Sequence, residues 1–247
     1  MTGAKRKVAL VTGAAGTMGL ATVKFLLEDG FVVVMVDLDE KRLKDVAAPL
    51  GSDAYPIAFD VSKYNQVEAA VRRIEAEIGP VDVLVNNAGI LSNNKVADTT
   101  PDEWHRVLAV NLDGAFYLSK LILPGMKARR WGRIVNTCSF AMKSGGLTAG
   151  TAYTTSKGAL QALTFSLARE SVEYGVTVNG IAPAYVKTPM VTEQLTEAQR
   201  QALLQQIPMR RFCEPEEFAH CVRFFVSPLA GFITGEIMDL NGGLLFD

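Results

Sequence analysis

The chain has 247 residues, 49% of them hydrophobic and 21% charged, which is enough apolar content for a large core in one α/β domain spanning residues 1–247. A formal net charge of −1 argues against nucleic acid or an anionic membrane surface as a partner and leaves a small-molecule substrate as the expectation. Cys138, Cys213 and Cys221 are scattered and lack CxxC spacing, so neither disulfides nor a metal site is expected; with no signal-peptide pattern and no uncharged apolar run of membrane-spanning length, the expected setting is the cytoplasm.

In chain order, "KVALVTG" reads as a strand, followed by the glycine-rich turn "GAAGTMG" and a helical pattern. "FVVVMVD" is a second strand ending at Asp37, and "AYPIAFD" a third, with Asp60 and Val61 just beyond it. "VDVLVNN" leads into "NNAG" at Asn86 to Gly89, and the helical stretch after Pro101 contains Asn111. "GRIVNTCS" reaches Ser139, "YTTSK" opens a long helical pattern, and "VTVNGIAP" is a sixth strand. Residues 185–213 hold a polar helix pattern between Pro189 and Pro208, which reads either as a substrate lid or as a surface helix without function. "PEEFAHCVRFFVSP" is helical, and "EIMDL" adds a seventh strand. Short strands alternating with helices predict a Rossmann-like, doubly wound parallel sheet. Near-continuous apolar runs such as "VVVMV" mark strands covered on both faces. Lys5-Arg6-Lys7 and the group Lys127, Arg129, Arg130 and Arg133 read as cations at a solvated terminus and a helix C-terminus.

Three features carry chemistry. Gly13, Gly16 and Gly19, set between a strand and a helix, let backbone approach a pyrophosphate at the helix N-terminus. Asp37, 18 residues past Gly19, is placed to accept from a ribose diol. Its charge would repel a 2′-phosphate, so NAD rather than NADP is expected; as an alternative, Asp37 simply caps the next helix. Tyr153 and Lys157 stand at i and i+4 on one helical face, where a cation favours the phenolate, while Thr154, Thr155 and Ser156 point elsewhere and read as largely replaceable. His105 and His220 lack motif context and read as surface or packing residues, and Cys138 reads as buried in a strand.

"TGAAGTMG", "NNAG", Asn111 in "AVNLDGAF", Ser139 in "IVNTCS" and "YTTSK" occur in one order from Lys7 to Gly243, and together they resemble the soluble short-chain dehydrogenase/reductase family. The resemblance implies that Tyr153 is the general acid/base and Lys157 its electrostatic partner and ribose ligand. It makes Ser139 the donor to the substrate oxygen and Asn111 the organiser of a water relay. It further implies dinucleotide contacts from Gly13, Ala15, Gly16, Thr17, Met18, Gly19, Asp37 and Leu38, from Asp60 and Val61, and from Asn87, Ala88 and Gly89. Pro183, Val186 and Thr188 would border the nicotinamide. Family members usually form homotetramers, here through the helices after Pro101 and Tyr153 and the C-terminal segment. Thr17 stands where the usual turn has glycine and is expected to N-cap the helix. Ser144 is a rival to Ser139, but only Ser139 follows an apolar strand directly.

The leading functional expectation is an NAD-dependent oxidoreductase interconverting a secondary alcohol and a ketone. An alternative is a 3-oxoacyl-thioester (acyl carrier protein) reductase, with Arg129 and Arg130 meeting an acidic carrier and with Asp37, Glu170 and Glu173 counting against it. A second is a non-catalytic nucleotide-binding sensor or scaffold. Phe140, Met142, Leu147, Met190 and Leu195 are candidates for a partly apolar pocket.

Overall fold

The computed structural model describes residues 6–188 and 196–246. Seven strands form one parallel sheet: β1 (Val8–Thr12), β2 (Val32–Asp37), β3 (Ala54–Ala58), β4 (Val81–Asn86), β5 (Gly132–Thr137), β6 (Val176–Pro183) and β7 (Ile237–Leu240). Their order is β3-β2-β1-β4-β5-β6-β7, the doubly wound Rossmann-like arrangement that the alternating pattern predicts. The inner strands are apolar because both faces are covered; every residue of β1, β5 and β6 is buried. Pro56 is tolerated in β3 because that strand is an edge with one neighbour to satisfy.

Alternate strand residues feed two cores. Leu10, Val34 and Leu84 meet α3 (Tyr64–Glu77) and α5 (Gly114–Arg129) through Ile74, Leu118, Ile122 and Met126. Val11, Val33 and Met35 face α1 (Thr17–Glu28), α2 (Glu40–Ala47) and α9 (Pro215–Val226), where Leu26, Leu43, Phe218 and Phe225 are buried. Each such side chain contributes about 1.5–3 kcal/mol by leaving water.

The remaining helices are α4 (Pro101–Leu108), a four-residue α6 (Ala141–Ser144), α7 (Thr151–Ser171) and α8 (Glu197–Gln206). A π-turn at Ala109–Asp113 joins α4 to α5. The run Pro101–Arg129 is long and apolar enough to cross a membrane by length and composition alone. Leu118, Ile122 and Met126 instead place its apolar side in the sheet's core.

Two expectations are corrected. Arg133 does not belong to a basic helix end: it lies in β5, is only 4% exposed, and its guanidinium stacks 4.8 Å from the Trp131 ring, which Lys7 meets at 4.4 Å. Gly16, not Thr17, is the N-cap of α1, and Thr17 is the first helical residue. Of the expected lid, α8 buries no residue, and a β-bridge between Val186 and Cys213 ties the base of the segment. Met190 and Leu195 lie outside the described residues.

Candidate active site

Because all seven strands run the same way, their C-terminal ends share one edge of the sheet, and the order reverses between β1 and β4. A crevice must open there. A cavity of about 500 Å³ occupies it, with Gly13, Gly16, Thr17, Met18 and Gly19 along one side. Gly13 takes φ +64°, and a Cβ on Gly19 would lie 2.1 Å from the Gly13 carbonyl, so the turn is closed to larger residues at both points. Gly16 brings no side-chain cap to α1, leaving the helix start to a ligand or water.

Asp37 and Leu38 form the cavity's far end. The Asp37 carboxylate accepts from the Ala15 amide at 3.0 Å and the Leu38 amide at 2.8 Å, so it braces the glycine turn. It does not cap α2; Asp39 does, accepting from the Arg42 amide at 3.0 Å. Ala15 is buried beneath the turn and meets the cavity only through this brace. Arg42 lines the same cavity and carries no motif that would have marked it.

Asp60, Val61, Asn87, Ala88 and Gly89 also line it. The Asp60 carboxylate accepts from the Ser62 amide at 2.9 Å and hydroxyl at 2.7 Å. Thr12 Oγ1 accepts from the Asn87 and Ala88 amides, both at 2.9 Å, while Asn87 Nδ2 donates to the Thr12 carbonyl at 2.9 Å. Asn87 Oδ1 is then a buried acceptor without a partner. A close-packed glycine turn, an uncapped helix start and an orphaned amide oxygen fit a dinucleotide.

Met18, Asn87, Gly89, Ile90 and Thr188 also line a second cavity of about 260 Å³, which contains Ser139, Tyr153 and Lys157. Pro183 and Val186 form part of its wall, as do Phe140 and Leu147. Met142, expected in the pocket, packs instead against Ala115, Cys138 and Leu160. Ser144 also reaches this cavity, but it is Ser139 that bonds the Tyr153 phenol.

Tyr153 and Lys157 share one face of α7, with the ammonium 5.7 Å from the ring centroid. Burial pushes the Tyr153 phenol above its ordinary value, and the hydrogen bond from Ser139 pulls against this without reversing it. The expected phenolate is therefore not favoured by the protein alone. Lys157 does not offset that burial: it is 3% exposed, donates to the Thr137 carbonyl at 2.6 Å, and is itself pushed down to about 8 by desolvation. Burial pushes the Cys138 thiol up to about 11, which leaves it inert at neutral pH. His105 and His220 are both exposed.

Asn111 sits in the π-turn, 2% exposed. Its Oδ1 accepts from the Ile90 amide at 2.8 Å, and its Nδ2 donates to the Ile90 carbonyl and to Ser156 Oγ, both at 3.0 Å. Ser156 Oγ donates onward to the Tyr153 carbonyl at 2.7 Å. The residues between Tyr153 and Lys157 are thus not all replaceable. Ser156 is fully buried and links Asn111 to the first turn of α7; Thr154 has a buried hydroxyl pressed against Gly146; Thr155 alone of the three is exposed. Ser156→Ala is expected to cost about 1–3 kcal/mol in urea unfolding because it strands buried polar groups. Thr155→Ala should change stability by no more than about 0.5 kcal/mol.

Comparison with known proteins agrees with this geometry. The family model described as short chain dehydrogenase matches residues 7–199. The chain is similar to the 3-oxoacyl-(acyl-carrier-protein) reductase of Vibrio cholerae, 40% identical over 96% of this chain and 97% of that protein. It is 39% identical to nodulation protein G of Azospirillum brasilense over 97% and 98% of the two chains, and 38% identical to the acetoacetyl-CoA reductase of Rhizobium meliloti over 97% and 99%. With the motifs in order, the sheet in the expected topology and the family model matching residues 7–199, the chain belongs to the short-chain dehydrogenase family and is an oxidoreductase.

Proposed function

We propose that the protein reduces a 3-oxoacyl thioester to the 3-hydroxyacyl thioester with NADH. The observation that carries this reading is the cavity in which Tyr153, Ser139 and Lys157 meet, continuous with a dinucleotide-sized crevice that ends at Asp37. The thioester comes from the relatives, two of which are named for 3-oxoacyl and acetoacetyl thioester reduction. It takes precedence over the general secondary-alcohol reading. Arg129 and Arg130 lend no support to carrier docking: Arg129 donates to the Val81 carbonyl at 2.7 Å and pairs with Asp82, and Arg130 donates to the Glu173 carbonyl at 2.9 Å. The exposed Phe116 on α5 and Phe165 on α7 fit the tetramer implied by the family resemblance.

The bound dinucleotide supplies the hydride to the carbonyl carbon. Tyr153, kept protonated by its burial, donates its proton to the carbonyl oxygen. Ser139 gives that oxygen a second hydrogen bond as its charge develops. Lys157, a cation below about pH 8, holds the ribose and stabilises the phenolate left behind. Asn111, through Ser156 and Ile90, fixes the first turn of α7 against the strand edge.

NADH is preferred on electrostatic grounds. A carboxylate about 4 Å from a 2′-phosphate is repelled by roughly 1–4 kcal/mol per unit charge, depending on screening. Asp37→Asn keeps an oxygen for the Ala15 amide, removes the charge and leaves Arg42 in the same cavity. It is expected to raise kcat/KM with NADPH by roughly one to three orders of magnitude. The deciding experiment is steady-state reduction of a 3-oxobutanoyl thioester with each dinucleotide. Turnover with NADPH alone would overturn the NADH assignment. Turnover of simple ketones but of no thioester would return the general alcohol reading, and inactivity toward both classes would favour a sensor.

A further inference from the structure

The outer wall of the catalytic cavity is the turn between α6 and α7, which presents Leu147 and Thr148. Leu147 is 64% exposed although it lines a cavity, so an apolar ligand there would cover it. The turn has little to stiffen it from within: Gly145 and Gly146 take φ +71° and +76°, and the Gly146 amide donates back to Ala141 at 3.0 Å.

What holds it comes from the loop after β4. The Gly150 amide donates to the Ser92 carbonyl at 2.6 Å and the Thr151 amide to the Asn94 carbonyl at 3.0 Å, which clamps the end nearest the catalytic helix. Gly150 passes so close that a Cβ there would lie 2.5 Å from the Asn94 carbonyl oxygen. Lys95 spans the rest, its Nζ donating to the Gly146 carbonyl at 2.6 Å and the Ala149 carbonyl at 2.7 Å. The loop is itself anchored to α4, since Ser92 Oγ and Asn94 Nδ2 both donate to the Glu103 carboxylate. An ammonium bridging two carbonyls makes charge-assisted bonds of the stronger kind.

We infer that Lys95 is a positioning residue for substrate selection. By joining the two ends of the 146–149 turn it holds Leu147 and Thr148 as the pocket's outer wall, and so sets which acyl chains fit beside Tyr153. This rests on reading the cavity as an acyl-thioester site. Lys95 touches no reacting atom, and loosening the wall removes binding shared by ground and transition states, so the effect falls on KM rather than kcat.

The test compares Lys95→Met and Lys95→Arg with the parent, using 3-oxobutanoyl and 3-oxooctanoyl thioesters with NADH and following amide hydrogen exchange over residues 145–151. Lys95→Met is expected to raise KM for the longer chain about tenfold, with a smaller rise for the shorter chain and kcat within about twofold. Exchange in 145–151 should quicken about tenfold without spreading to the sheet, and Lys95→Arg, which keeps a charged donor, should restore most of both effects. An unchanged KM ratio would overturn the inference, as would a parallel fall in kcat and dinucleotide affinity, which marks a general structural defect. If the parent reduces neither thioester, the functional reading fails separately. Exchange needs no substrate and then decides the clamp: acceleration confined to 145–151 supports it, and no change overturns it.

Discussion

Tyr153→Phe is expected to lower kcat for ketone reduction by roughly 10²- to 10⁴-fold, the usual share of a positioned general acid, while dinucleotide affinity stays within about twofold. The ring remains to fill its place on α7, so only the proton donor is lost. The alternative donors are poor. Ser139 meets no base among the described residues to replenish its proton: its Oγ accepts from the Ala141 amide at 3.2 Å and meets the Tyr153 phenol. Cys138, with its thiol at about 11, lies 1% exposed in the wall. The measurement is kcat with saturating thioester and NADH, alongside dinucleotide titration by fluorescence. A variant keeping more than about a tenth of the parent kcat would remove Tyr153 from the acid role. The raised phenol also sets a direction: reduction needs a protonated tyrosine, which the protein maintains unaided, whereas oxidation needs a phenolate that only a cationic cofactor and Lys157 together would favour.

What the sequence made legible, and what it hid, divides by the range of the interactions. The inner strands are readable because a parallel strand buried on both faces must be apolar, as in the run Val32 to Val36, whereas the partly exposed edge strands β3 and β7 are readable from their place in the alternation with helices. The glycine turn is readable because Gly13 is required by its own positive φ and Gly19 by the Gly13 carbonyl six residues before it. Tyr153 and Lys157 are readable because helical spacing is local. The hidden features carry no motif of their own, and most are contacts between segments distant in the chain. Arg42 reaches the crevice only because α2 follows directly on Asp37 and Asp39 at the sheet edge. Ser156 looks replaceable as a neighbour of Tyr153, and becomes necessary only when the π-turn brings Asn111 to it from 45 residues away. Lys95, an exposed cation, meets its carbonyl partners only when the fold brings the turn at Gly146 to it from 51 residues away. The state of the Tyr153–Lys157 pair was also out of reach, because spacing reports proximity and says nothing of desolvation, which here outweighs the expected attraction.

Desolvation of Lys157 makes the second large prediction, one that separates function from stability. Its ammonium titrates at about 8 in the folded chain against an ordinary 10.5, so holding it charged costs about 3 kcal/mol of folding stability at neutral pH. The sign follows from proton counting. Between about pH 8 and 10.5 the unfolded chain holds a proton on Lys157 that the folded chain has lost, so this group makes the protein more stable as pH rises through that window. Below about 8 the full cost is present, and above 10.5 it is gone. Lys157→Met removes the charge at similar length and also loses the bond to the Thr137 carbonyl. Neutral lysine can still donate that bond, so its loss depends little on pH and leaves the charge contribution isolated. Urea unfolding of parent and variant at pH 7 and pH 10.5 should therefore show the parent gaining about 3 kcal/mol on the variant between the two. A difference independent of pH would mean that the ammonium is not desolvated. In the same variant, kcat should fall by at least about 10²-fold, because the phenolate formed as Tyr153 gives up its proton loses the cation beside it. A residue that weakens the fold at neutral pH and yet sustains turnover is what a stability–activity trade-off at a catalytic site requires. A Lys157→Met protein that kept its activity would place the cost of burying this charge outside the reaction altogether.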